Sequence, residues 1–135
     1  MKLEAWWDED ADEGTIVETP AELDAVLDAV AALDGPALVQ FYDADEPKQV
    51  EFAVGLNGDR GVLRYAGLDD MGGSTSRATK QRFTAPEGGV LYYCMSADTE
   101  FPDDAEIPAA DAREAAHEFL RIGGTRPTGV AWQDA

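Results

Sequence analysis

The chain has 135 residues, 28 of them acidic and 10 basic, with a formal net charge of −18 and 44% apolar content. That length fits one domain, residues 1–135, able to bury roughly two-thirds of its unfolded surface without disulfides or metals. The charge excludes nucleic acid and anionic lipid as direct partners and favours a basic protein surface.

Residues 1–7 alternate, with Leu3, Ala5 and Trp7 on one side and Lys2, Glu4 and Trp6 on the other, which predicts a first strand. The run Asp8-Glu9-Asp10-Ala11-Asp12-Glu13-Gly14 is too charged to fold inward and predicts a solvated connection, with a brief return to strand at Thr15–Val17. A helix follows. Thr19 supplies the capping hydroxyl, Pro20 the first helical position and Glu22 the third-position carboxylate of a capping box. Leu23, Val26, Leu27, Val30 and Leu33 form one apolar stripe, and Gly35-Pro36 stops it.

Ala37–Tyr42 is nearly all apolar and predicts a central strand. Val50, Phe52, Val54 and Leu56 alternate with Glu51, Ala53 and Gly55, which predicts a strand with one buried face. Asn57–Gly61 reads as a hairpin turn returning Val62–Ala66 antiparallel. Gly67–Lys80 has no periodicity and predicts an exposed loop. Gln81–Thr84 and Val90–Met95 are expected to pair across Ala85–Gly89, and Asp98–Pro108 reads as an acidic connection. A second helix is predicted over residues 109–122, with a capping box at Asp111–Glu114, a buried face of Ala112, Ala115, Ala116, Phe119 and Leu120, and Gly123-Gly124 as its stop. Val130 and Trp132 share one side of a last short strand. Hairpin connections dominate, so the expected class is α+β: a mostly antiparallel sheet with both helices packed on one face.

Residue types that carry catalysis are sparse. His117, the only histidine, lies on the polar side of the second helix between Glu114 and Arg121, where a surface contact explains it. Cys94, the only cysteine, sits among Tyr92, Tyr93 and Met95 and reads as a buried, inert thiol; alone it excludes an intrachain disulfide. One His and one Cys do not make a zinc centre, and Asp8–Glu13 lacks the spacing of a calcium loop. Gly72-Gly73-Ser74-Thr75 lacks the P-loop lysine and follows two aspartates, while Gly123–Arg126 begins at the negative pole of a helix. No catalytic residue, metal or cofactor is therefore assigned. With no secretory apolar region and no long apolar stretch, a cytoplasmic monomer is expected.

The acids are unevenly placed. Residues 1–47 hold fourteen acids and one base, residues 48–93 five and six, and residues 94–135 nine and three. Adaptation to high salt would spread acids over the whole chain, whereas the middle third is neutral. Trp6 and Trp7 face opposite ways on a strand, right beside the densest acid run. An aromatic there can anchor a partner while the carboxylates steer its approach. The candidate partner-binding residues are Trp7, Asp8, Glu9, Asp10, Asp12 and Glu13, with Asp43, Asp45 and Glu46 as a second cluster and Asp69 and Asp70 as a third.

The segment Glu118-Phe119-Leu120-Arg121-Ile122-Gly123-Gly124-Thr125-Arg126-Pro127-Thr128-Gly129-Val130-Ala131-Trp132 resembles the tail of a bacterial immunity-protein family, immunity protein family one. Gly55-Leu56 and Gly61-Val62-Leu63 are similar to its upstream layout. Members of that family are encoded beside polymorphic toxins, notably those with nucleic-acid deaminase domains. The resemblance implies a non-enzymatic inhibitor that covers the toxin's basic, phosphate-binding groove. The alternative is a small acidic ligand-binding or regulatory α+β domain, which would show a deep apolar pocket.

Overall fold

A computed structural model describes the chain from Met1 to Ala135. Its elements run β1 (Leu3–Trp6), β2 (Thr15–Val17), α1 (Pro20–Ala31), β3 (Ala37–Asp43), β4 (Val50–Asn57), β5 (Arg60–Gly67), β6 (Asp70–Arg77), β7 (Val90–Cys94), β8 (Ala97–Phe101), β9 (Ile107–Pro108), α2 (Ala109–Ile122) and β10 (Ala131–Asp134). Seven strands lie in the order β10-β6-β5-β4-β3-β1-β2, every neighbouring pair antiparallel. The short β9 adds to β5, and the β7–β8 hairpin joins through one parallel pairing, Ala37 opposite Tyr93. The expected α+β architecture is the observed one.

Both helices cover the same face. Leu23, Val26, Leu27 and Val30 of α1 and the Ala112, Ala115, Ala116, Phe119 and Leu120 stripe of α2 close over Leu3, Val39, Phe41, Phe52, Val54, Leu63 and Tyr65. Phe52 and Phe119 stack at 4.4 Å, and Tyr65 meets Phe119 edge-on at 6.4 Å. The capping box of α1 forms as read: Thr19 Oγ1 accepts from Glu22 N, and Glu22 Oε1 accepts from Thr19 N. The helix ends before Leu33, however, so that residue is exposed instead of completing the stripe. No side-chain cap opens α2, so the box expected at Asp111–Glu114 is not made. Strand β9 runs straight into this helix, and the β4–β5 turn meets one free donor instead: Ala109 N–H bonds Asp59 O at 2.9 Å.

The opposite face is where sequence expectation and structure part. The β7–β8 hairpin lies across it, so Val90, Tyr92 and Phe101 pack with Leu38, Ala53, Val62 and Ala105 in a second, smaller core. Strand β4 is therefore buried on both faces, not one. Gly55 is required there, since a Cβ would come within 2.5 Å of the Tyr92 ring. The partner of Val90–Cys94 is Ala97–Phe101 across the two-residue turn Met95-Ser96; Gln81–Thr84 has no regular structure, and the start of the Asp98–Pro108 connection is strand. Gly67–Lys80 is not an exposed loop. Most of it is β6, clamped between β5 and β10. Its residues are small and polar because hydrogen bonds, not apolar contacts, satisfy it: buried Ser76 Oγ accepts from Leu63 N at 3.0 Å and donates to Ala105 O at 2.7 Å.

Candidate partner-binding surface

Strand register decides where the acids go. Antiparallel pairing of β1 with β3 sets Trp6 opposite Gln40 and Leu3 opposite Asp43. The Asp8–Glu13 loop therefore leaves one end of the sheet and the Asp43–Glu46 turn leaves the other, about 20 Å apart at ~3.3 Å per residue of strand. The β5–β6 turn carrying Asp69 and Asp70 joins the second end, because Val50 opposes Gly67. The eleven sequence candidates thus form two groups at opposite ends.

In the first group, Asp8, Glu9, Asp10, Asp12 and Glu13 are all exposed, and none takes part in an ion pair. The one hydrogen bond that their carboxylates make runs from Asp10 N to Asp8 Oδ1, 3.0 Å, beside a backbone bond from Ala11 N to Asp8 O, 3.1 Å. Trp7, half-buried, packs on the edge of the main core. Five uncompensated carboxylates on one loop produce a local field that only solvent and salt screen.

In the second group Asp43, Asp69 and Asp70 are engaged in building the fold, whereas the Asp45 and Glu46 carboxylates are exposed and unpaired. Asp43 Oδ1 accepts from Asp45 N at 3.0 Å and closes the turn that also holds exposed Glu46. Asp69 accepts the Tyr65 hydroxyl at 2.7 Å; burial first, and this carboxylate second, push that phenol far above its ordinary range. Asp70 accepts from the Ser74 hydroxyl and pairs with Arg126 at 3.4 Å, and Arg126 lies 5.6 Å from the Trp132 ring. These groups line an open, largely polar depression of about 730 Å³, with Val130 and Trp132 among its few apolar contributors.

The sequence did not reveal a groove beside the first group. Trp6, Leu38 and Tyr42 share the face of β1 and β3 away from the helices, and the β7–β8 turn forms the facing wall with Cys94, Met95 and Ala97. The groove holds about 550 Å³ and is mostly apolar. Trp6 is fixed in it by its indole N–H to Glu4 Oε1, 2.7 Å. Cys94 is half-buried rather than enclosed, its thiol pushed up by burial, and its Sγ lies 3.6 Å from Trp6 O. Gly14, at the far end of the acid loop, lies against the same aromatic: a Cβ there would come within 2.8 Å of the Trp6 indole nitrogen. Both ends of the loop therefore meet the groove. The alternation in residues 1–7 put Trp6 on this face, but the wall from residues 94–97 is a long-range contact.

Elsewhere, five of the ten basic side chains are held in internal ion pairs. Arg60 pairs with Asp59 and buried Glu106 and lies 4.4 Å over the Phe83 ring; Arg64 pairs with Glu51 and Arg82 with Asp104. His117 bonds Asp24 of α1 at 2.7 Å, and Arg113 bonds Asp28 at 2.6 Å, so the histidine ties the two helices together and does not pair along its own helix. That contact holds the Asp24 carboxyl below its ordinary range. Glu118 accepts Thr128 N at 2.7 Å, Thr128 Oγ1 at 3.0 Å and Gly129 N at 3.2 Å, which moors the Gly123–Val130 connection to α2. These bonds hold the Glu118 carboxyl low as well. No group of three His, Cys, Asp or Glu side chains is arranged to hold a metal.

Residues 11–134 match the family model described as Immunity protein Imm1. The chain belongs to the Imm1 family of immunity proteins. No curated protein matches it. Membership assigns the chain a toxin-neutralising role with a cognate toxin as partner. The moored tail, Glu118 to Trp132, lies wholly within the Imm1 match and does structural work: helix, left-handed Gly123 stop at φ 81°, and edge strand. Residues 1–10 lie outside the match, although β1 is hydrogen-bonded between β2 and β3. No helix of this Imm1 chain is long and apolar enough to cross a membrane.

Proposed function

We propose that this Imm1 protein inhibits a nucleic-acid deaminase toxin in the cytoplasm, binding as a monomer and covering the toxin's basic groove without any turnover of its own. Family membership carries the toxin-neutralising part. The finer part rests on one observation: Asp8, Glu9, Asp10, Asp12 and Glu13 project from one corner with no cation to neutralise them. An enzyme that works on nucleic acid must present a cationic track for phosphates, and an anionic loop competes for it. The docking segment is Trp7 with these five acids. The distant Asp43, Asp45, Glu46, Asp69 and Asp70 add to the long-range field that speeds encounter. A small-molecule ligand is disfavoured, because the depression of about 730 Å³ is open and polar and the apolar groove of about 550 Å³ is open to solvent as well.

The test is protection. The C-terminal domain of the protein encoded immediately upstream is expressed with and without this chain, and survival and deaminated bases in cellular DNA and RNA are scored. Rescue with base deamination abolished supports the proposal. Rescue from a toxin that leaves bases intact would retain the immunity role and remove the deaminase.

A further inference from the structure

The groove between β1–β3 and the β7–β8 turn carries more than packing requires. Met95 holds its backbone at φ 59°, the only non-glycine residue with positive φ, at a turn position that favours glycine. Its side chain stays 39% exposed on the groove lip. Trp6 and Tyr42 on the floor are only half-buried. An apolar trough of about 550 Å³ is large enough for one or two big side chains. Of the charged side chains on this face of β1 and β4, Glu4 is bonded to Trp6, Glu51 opposite Tyr42 is paired with Arg64, and Lys2 lies beyond Glu4, past the Tyr42 end; Asp98 is on the exposed side of β8, away from the trough. The loop with the five unpaired carboxylates adjoins the trough: it begins two residues after Trp6, and Gly14 at its far end lies against the Trp6 indole.

We propose that this trough is the anchor site for the toxin: one bulky apolar side chain of the toxin enters between Trp6 and Met95 while lysines or arginines flanking it meet the Asp8–Glu13 loop. The inference rests on the toxin reading above. The charge pattern selects the occupant, since a second copy of this acidic chain would be repelled and a lipid surface would offer no cation. Apolar anchor and charged rim then divide the work, the ring contacts slowing release and the carboxylates accelerating encounter.

Cys94 on the trough wall is the chain's only thiol, which makes it a reporter. Its rate of alkylation by a maleimide, read by mass on this chain, is compared free and saturated with the upstream-encoded toxin domain. Occupancy of the trough should slow labelling by about tenfold or more. Filling the trough from its exposed wall with Ala97→Trp should weaken binding by about 30-fold or more while thermal stability is kept. The matched control, Asp98→Trp, points the same bulk away from the trough and should bind near wild-type strength. If the toxin domain binds tightly, yet Cys94 labels at its free rate and Ala97→Trp binds like wild type, the anchor site is overturned and the immunity reading stands. If the toxin domain does not bind at all, both fall.

Discussion

Neutralising the acid loop while leaving its shape intact separates charge from fold. The variant Asp8→Asn, Glu9→Gln, Asp10→Asn, Asp12→Asn, Glu13→Gln keeps every side-chain size, and the asparagine at position 8 keeps the Oδ1 acceptor used by Asp10 N. No ion pair is lost, so stability should stay within about 0.5 kcal/mol, as for surface substitutions generally. Each carboxylate about 10 Å from a unit positive charge contributes about 0.4 kcal/mol in water, so five contribute about 2 kcal/mol, or roughly 30-fold in association rate at low salt. At physiological ionic strength the Debye length of about 8 Å leaves roughly 0.6 kcal/mol, or about threefold. Stopped-flow or surface-based association with the toxin domain, run from low to physiological salt, measures this. The wild-type rate should fall steeply with salt and the variant's should be slower and nearly flat. Superimposable rate–salt curves for the two proteins would take this loop out of the interface.

Further outcomes follow from the geometry. Met95→Gly relieves a left-handed backbone that costs about 1–2 kcal/mol and adds back about 0.5–1 kcal/mol of glycine entropy. A thermal melt should show a rise of a few degrees alongside weaker toxin binding; destabilisation would mean that the Met95 side chain is held for packing. Gly55→Ala drives a methyl to 2.5 Å from the Tyr92 ring and 2.7 Å from Val62, and should cost about 1–3 kcal/mol by urea denaturation; a neutral result would show that the hairpin slides freely on the sheet. Glu118→Ala removes three hydrogen bonds to an ionised acceptor and should cost about 1–3 kcal/mol at neutral pH. The Glu118 carboxyl is held below its unfolded value, so its contribution is full above about pH 4.3 and fades as pH falls through the lower folded value. The wild-type advantage over Glu118→Gln should therefore shrink between pH 6 and pH 3, and an advantage that grows in acid would contradict the assignment.

The candidate site was half legible. Acids at Asp8–Glu13 are exposed because so dense a run of charge has no route inward, and sequence alone shows that. The same composition at Asp43, Asp69 and Asp70 reads identically on paper, but those carboxylates close a turn, hold Tyr65 and pair with Arg126. Whether a carboxylate is free or engaged depends on partners brought from far along the chain, 56 residues for Arg126 and Asp70. Trp6 and Trp7 divide between the two faces as alternation requires, yet only the β7–β8 turn makes the Trp6 side a groove.

What the sequence determined alone was governed by local spacing and capping: the amphipathic faces of both helices, the Thr19–Glu22 box, the Gly123 stop, the strand pair closed by the Asn57–Gly61 turn and, from these, the α+β class. Tertiary structure decided what local spacing does not encode. It made a strand of Asp70–Arg77 by lending it neighbours on both sides, folded Val90–Cys94 back on Ala97–Phe101 through a strained Met95, and covered the second face of β4. It also sent the acidic segments to opposite ends of one sheet. The reason is that packing neighbours far along the chain, such as Leu38, Ala53 and Val62 beneath the β7–β8 hairpin and β10 beside β6, outweigh the ~1 kcal/mol preferences that single residues express on their own.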